Sequence, residues 1–221
     1  MIEYTDHPLL WPASFVTRFE APLREISTPA NVRAALINGA GGQGLELGFG
    51  PVPPVLREAI KKDTRALLRH GGYKPSGRGK PSSEYLARAI SEGALPEINA
   101  AVDSCNALSV HSGLPISVVD LDLLEPPLRV AAAERESYVF NASGQEIQLD
   151  GLLCLRDARG PRANAVKDCH ATKTHAGSRS IIVVIWGPAA HGALCEEVLE
   201  AYMRLMAGAG AEVARVGPAG R

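Results

Sequence analysis

Apolar residues recur at near-helical spacing from Pro54 to His70, where Val55, Leu56, Ala59, Ile60, Leu67 and Leu68 form a stripe that stops at Gly71-Gly72. This pattern predicts a helix. A second helix follows Pro81, with Ser82 or Ser83 able to cap it, and runs to about Ser91 before Gly93. Glu84 falls in its first turn, where a carboxylate complements the partial positive charge of the helix end. A third is expected from about Pro96 to His111. Ile98, Val102, Cys105 and Leu108 make its packing stripe, while Asn99, Asp103 and Asn106 lie at i, i+4 and i+7 on another, polar face.

Beyond Ser112-Gly113 the period changes. PISVVDLDLL, PLRVAAAE, SYVF, EIQL and LLCLRD are short, often β-branched runs, and SIIVVIWG (Ser180 to Gly187) reads as a central strand. A further helical pattern spans Ala190 to Met206, and AEVARVG can supply a last edge strand. The predicted fold is α+β, a mixed and largely antiparallel sheet flanked by helices. Pro and Gly cluster at Gly39 to Pro54 and Gly71 to Pro81 as loops, with no internal repeat and no low-complexity linker. The expected organisation is one domain over 1–221, with a lead-in at 1–53, a core at 54–206 and a strand or tail at 207–221.

Composition narrows the class. With 221 residues, 46% hydrophobic and 21% charged, the chain has ordinary globular values, which exclude a disordered, collagen-like or coiled-coil protein. The longest apolar run is far short of the roughly 18–20 residues needed to span a bilayer, so no membrane partner is expected. Glu3 and Asp6 stand where a secretory signal would be basic, which points to the cytoplasm. Four scattered cysteines without a CxxC pair fit reduced, mostly buried thiols.

The formal net charge of -1 conceals an uneven distribution. Between Arg57 and Arg88, nine basic residues face only Glu58, Asp63 and Glu84. Lys61, Lys62, Arg65, Arg69, Lys74, Arg78 and Lys80 could follow a phosphate backbone, with Tyr73 available to stack on a base or sugar; the other reading is a solvated helix face with a basic loop. The glycine-rich segment Gly39 to Gly50 lacks a preceding strand and the Lys-Ser/Thr of a phosphate-binding loop. No GxSxG or HExxH occurs, the histidines are too dispersed for a metal site, and no cofactor is expected. Lys167-Asp168-Cys169-His170 with Thr172-Lys173-Thr174-His175 is the densest group of titratable and nucleophilic side chains, fit to line a cleft or to form a surface loop. Adjacent Cys169 and His170 diverge on the backbone, which argues against a thiol nucleophile with its base.

From Asn99 to Leu124 the string resembles the B-three/B-four editing domain of the phenylalanyl-tRNA synthetase beta subunit. Val102-Asp103, Asn106, Gly113, Pro115, Asp120-Leu121-Asp122 and Leu124 match in order and spacing. Arg129 and Ala131 followed by Glu134 or Glu136 resemble a further stretch of that domain, as does Leu153 to Val166, and HGGYKPSGRGKPSS resembles the lead-in of freestanding members. The resemblance covers about Val55 to Glu200.

The resemblance implies the fold of that editing domain and hydrolysis of a wrongly esterified aminoacyl-tRNA. Such editing is needed because an apolar pocket rejects a substrate that merely adds a hydroxyl by only about 10²-fold. It implies that Asn106 holds a water and that Pro115 lines the pocket. The family's histidine position is Ser117 here, and Lys167-Asp168 replaces a Gly-Gly pair; His111, His170 or Asp168 could compensate. The candidate catalytic residues are therefore Asn106, Ser117, Asp168 and His170. Asp103, His111, Pro115, Asp120, Arg129, Lys173 and Thr174 are candidates for holding the substrate, an aminoacyl-tRNA or an amino-acid-like small molecule. Two other readings stay open: a non-catalytic module binding an amino acid, metabolite or RNA, and a different enzyme using Asp168, His170 and Lys173 on an amino-acid derivative.

Overall fold

In the computed structural model, which describes residues 2–38, 47–93 and 95–218, the β-branched run becomes strand β9, Ser180–Pro188, and all nine of its residues are buried. Both faces are covered. Ile181, Val183 and Ile185 enter one apolar cluster, while Ile182, Val184 and Trp186 enter a second on the other side.

Numbered in chain order, the other strands are β1 (Ile2–Tyr4), β2 (Leu10–Phe19), β3 (Ile116–Asp120), β4 (Leu128–Ala132), β5 (Ser137–Val139), β6 (Glu146–Gln148), β7 (Leu153–Asp157), β8 (Gly160–Asn164) and β10 (Ala211–Arg215). The helices are α1 (Ala30–Asn38), α2 (Pro54–Arg69), α3 (Ser82–Glu92), α4 (Ala100–Ser112) and α5 (Gly192–Gly208). One antiparallel sheet has the order β10-β2-β9-β3. A second has the order β1-β4-β7-β8, parallel only between β1 and β4, and β5 pairs with β6 as a separate hairpin.

Residues of α1, α4 and α5 fill the cluster on one face of the first sheet, and the second sheet closes the other face. The architecture is thus α+β, largely antiparallel with helices against it, as the sequence pattern predicts. The expected helices, the central strand β9 and the edge strand β10 are all present.

Several local expectations change. Pro81 is the N-cap of α3 and no side chain caps it, so neither Ser82 nor Ser83 has that role. Helix α4 begins at Ala100, not near Pro96, because the Asn99 side chain accepts from the Val102 N–H at 3.0 Å and fixes the first turn. Ile98 therefore lies outside the helix and is exposed. Val55, expected in the packing stripe of α2, is exposed, while Ile60, Thr64, Leu67 and Leu68 are buried. β2, within the expected lead-in, pairs with both β9 and β10 and places Phe15 and Phe19 in the core. Most of the glycine-rich segment, 39–46, lies outside the described residues.

The four cysteines are buried free thiols. No helix among the described residues is long and apolar enough to cross a membrane.

Candidate functional site

The strand β3 closes one end of its sheet, so its outer edge is open to whatever loop reaches it. Alternation sends Ile116 and Val118 toward the helical layer and Ser117 toward the other face. The loop after β8 lies at this edge. It is shaped by Asn164, whose side-chain oxygen accepts from the N–H groups of Val166 (2.7 Å) and Lys167 (3.1 Å) and whose amide donates to the Tyr138 hydroxyl. Tyr138 in turn donates to the carbonyl of Lys167. Asn164 therefore uses both ends of its amide to present Lys167 and Asp168.

Trp186 Nε1 donates to Ser117 Oγ at 2.9 Å, and Ser117 donates to Asp168 Oδ1 at 2.6 Å. The indole donates to the hydroxyl, whose own proton faces two acceptors, Asp168 Oδ1 and the Asn164 carbonyl at 3.2 Å, and the shorter contact is the one to the carboxylate. Burial pushes the Asp168 carboxyl up to about 6, against the Ser117 hydrogen bond, the nearby Lys173 charge and the N–H groups of Asn164 and Val118, which all favour ionisation. Desolvation wins.

Asp168 opens onto a cavity of about 400 Å3 between β3, α3, α4 and the post-β8 loop. Leu86, Ile98, Val102, Cys105, Ile116, Val118 and Val166 give it an apolar wall; Ser82, Tyr85, Asn106, Asn164, Lys167, Lys173 and Thr174 add polar groups. Asn106 reaches it from α4, one turn beyond Val102. Asn99 donates to Thr174 Oγ1 at 3.4 Å, tying the start of α4 to the segment that carries Lys173. A largely apolar pocket with a few convergent polar groups and a shifted carboxyl is the form of a small-molecule site.

Of the sequence candidates, Asn106, Asp168, Lys173 and Thr174 meet at this cavity. Ser117 is only 2% exposed and stands behind Asp168 as a positioning residue. His170 lies in an exposed turn after Cys169 and does not line the cavity. Asp103 is fully buried, accepting from Thr28 Oγ1 at 2.6 Å and from the Ile98 N–H at 2.9 Å, so it joins α4 to the N-terminal segment. His111 is buried at the end of α4, where burial lowers its pKa, and does not line the cavity.

Pro115 is buried and its carbonyl accepts from the Trp186 N–H. Asp120 accepts from the Asp122 N–H and the Ser178 hydroxyl, closing the turn after β3. Arg129 lies exposed on β4, opposite Arg156. None of these three lines the cavity. Asn164, which lines the cavity and shapes its loop, is not among the sequence candidates; the signal for it is a single amide at the end of a strand, before a loop of small residues.

The basic stretch is partly neutralised. Arg65 makes a bidentate pair with Glu84, both bonds 2.6 Å, Lys61 lies 3.4 Å from Glu58 and Arg88 lies 2.7 Å from Glu92. Arg57 donates to the carbonyls of Val52, Val110 and His111, so it closes the end of α4. Among the described residues, Lys62, Arg69, Lys74, Arg78 and Lys80 have no carboxylate partner. Tyr73, Lys74 and Arg78 line one groove with Lys167, whose ammonium sits 3.8 Å from the Phe140 ring centroid.

Fold and site define an α+β domain with a largely apolar cavity at the β3 edge of a sheet. Residues 75–190, more than half of the chain, match the family model described as "B3/4 domain", and the chain belongs to that family. Among solved structures it is similar to an N-terminal fragment of the phenylalanyl-tRNA synthetase beta-subunit from Pyrococcus horikoshii. That match has 15% identity and a TM-score of 0.44, covering 52% of this chain and 41% of that one. The chain thus spans about two fifths of that fragment's length. No curated protein matches.

Proposed function

We propose that the chain acts in trans, in the cytoplasm, to hydrolyse the ester of a mischarged or unusual aminoacyl-tRNA. The observation that carries this reading is the meeting of Asn106, Asp168 and Lys173 at one largely apolar cavity. An aminoacyl ester is already activated, so a held water, a base and donors for the developing oxyanion suffice without a covalent nucleophile.

Asp168 is the base. With its pKa near 6 it is mostly ionised at neutral pH, yet more basic than an ordinary carboxylate. It takes a proton from water as the water oxygen bonds to the ester carbonyl carbon. Asn106 orients that water, and the Lys173 ammonium faces the oxyanion. The bond from carbon to the ribose oxygen then breaks, and Asp168 returns its proton to that oxygen. The apolar wall receives the amino-acid side chain.

The test is to incubate the protein with Tyr-tRNA and a panel of other aminoacyl-tRNAs and to follow amino-acid release. Release from at least one, lost in Asp168→Asn and Asn106→Ala, is expected. No release from any of them, or release unchanged in both variants, removes the proposal.

The withdrawal of Ser117 behind Asp168 favours a second reading, a module that binds an amino acid without turnover. Asp168 and Lys173 would then pair with the ammonium and carboxylate of a free amino acid. Calorimetric binding of free aromatic amino acids, with no hydrolysis of any aminoacyl-tRNA, separates it from the first.

A further inference from the structure

Helix α3 is a wall of two cavities. Ser82, Tyr85 and Leu86 face the one described above, while Ser83, Glu84 and Ala87, on another face of the same helix, line a second of about 270 Å3. Its other walls are one face of α2, with Arg57, Glu58, Lys61 and Thr64 at i, i+1, i+4 and i+7, and the end of α4 at Val110 and Gly113. None of the described residues lines both cavities, so the second is a separate space.

The charges around it are already answered. Lys61 lies 3.4 Å from Glu58, Glu84 accepts two 2.6 Å bonds from Arg65, and Arg57 gives its donors to the carbonyls of Val52, Val110 and His111. A charged molecule entering here would lose its water without meeting an unpaired counter-charge.

The hydroxyls are not answered. Thr64 is 1% exposed, and its Oγ1 is buried without a hydrogen-bond partner among the described residues. Ser83, across the cavity on α3, is 5% exposed, and its hydroxyl neither caps the helix nor bonds another described group. Buried polar groups are ordinarily paired, so two unpaired hydroxyls on the walls of one cavity mark a place for something that bonds them. Pro81, Ala87 and Val110 add apolar surface beside them. The space is ample for a ring, since a cavity of roughly 150 Å3 already holds benzene.

We propose that this cavity is a second binding site, for a neutral, ring-sized molecule that carries a hydroxyl, carbonyl or amide group. The ring lies against Pro81, Ala87 and Val110, and the polar group bonds Thr64 and Ser83. Such a molecule rests on the helix that also bounds the first cavity, yet its binding does not depend on any reaction there.

NMR titration of the full chain with phenol and benzyl alcohol, against toluene, benzoate and benzylamine, tests this. The backbone amides of Lys61 and Gly113 report on this cavity and that of Asn106 on the first. At Lys61 and Gly113 the two alcohols should bind about threefold to tenfold more tightly than toluene or either ion, the value of one or two net hydrogen bonds. Thr64→Val, which keeps the shape, and Ser83→Ala should each weaken the alcohols by a similar factor and leave toluene unchanged. Both variants should stay folded, because neither hydroxyl holds another group in the free protein. No response at Lys61 and Gly113, toluene or an ion binding as tightly as the alcohols, or wild-type affinity for the alcohols in both variants overturns the proposal. Failure of every aminoacyl-tRNA to be hydrolysed leaves it standing.

Discussion

Ser117 Oγ and Asp168 Oδ1 stand 2.6 Å apart, a shorter contact than the 3.2 Å from the same hydroxyl to the Asn164 carbonyl, so the serine proton is directed chiefly at the carboxylate. This bond lowers the carboxyl pKa, and burial raises it further than the bond lowers it. Hydrolysis should therefore depend on a base that titrates near pH 6, with the rate rising as pH increases through that value. Ser117→Ala removes a stabiliser of the ionised form, so the rising limb should move to higher pH. A pH profile of deacylation for the two proteins decides it; superimposable limbs would separate Asp168 from the reaction.

Asp168→Asn should abolish turnover, by about 10²- to 10⁴-fold for loss of a general base. The same change should stabilise the fold at neutral pH. The carboxyl ordinarily ionises near 3.8 and near 6 in the folded chain, so the folded state holds its proton more tightly and stability falls as pH rises between those values. The neutral amide escapes that loss. Thermal melts at pH 7.5 should place Asp168→Asn above wild type, with the gap shrinking toward pH 4; a lower melting temperature at pH 7.5 would contradict the assignment.

Asn164→Ala removes two accepted bonds and one donated bond at once. A cost of about 1–3 kcal/mol is expected for the buried groups left unpaired, read from urea unfolding. Deacylation should fall as well, since Lys167 and Asp168 lose the turn that presents them.

The Arg57 guanidinium should resist replacement even by lysine, because its planar fork serves three carbonyls, one from Val52 and two from the end of α4. Arg57→Lys should cost about 1–3 kcal/mol in the same unfolding experiment without altering affinity for RNA.

Within the basic stretch the cations should divide into two groups. Arg65→Ala breaks the pair with Glu84 and should lower the melting temperature with little effect on tRNA affinity, while Lys74→Ala and Arg78→Ala should do the opposite. Filter binding at two salt concentrations measures it, and the salt slope should flatten only in the second group.

The periodicity of the chain made most of the helices and β9 legible, because each has a long run of one spacing. What it could not convey is which face of a fully covered strand meets which layer. Every residue of β3 is buried, so nothing in ISVVD marks Ser117 as facing away from Ile116 and Val118. The helical spacing of Ile98 extended α4 too far, since the capping bond of Asn99 is a local polar contact that apolar periodicity ignores. β2 escaped notice because Pro12 and Arg18 interrupt an otherwise apolar run, and its partners are β9 and β10 at the far end of the chain. The pairing of Arg65 with Glu84 crosses 19 positions, which turned an apparent block of free charge into two smaller parts.

The open edge of β3 has one more consequence. A strand at the end of a sheet offers unpaired backbone groups to any passing strand, and such edges seed association between chains. Here the loop that presents Asp168 lies along that edge, and Lys173 forms a single bridge with Val119. The residues proposed for chemistry therefore also act as a guard rail against self-association, and variants that loosen this loop should lose solubility along with activity.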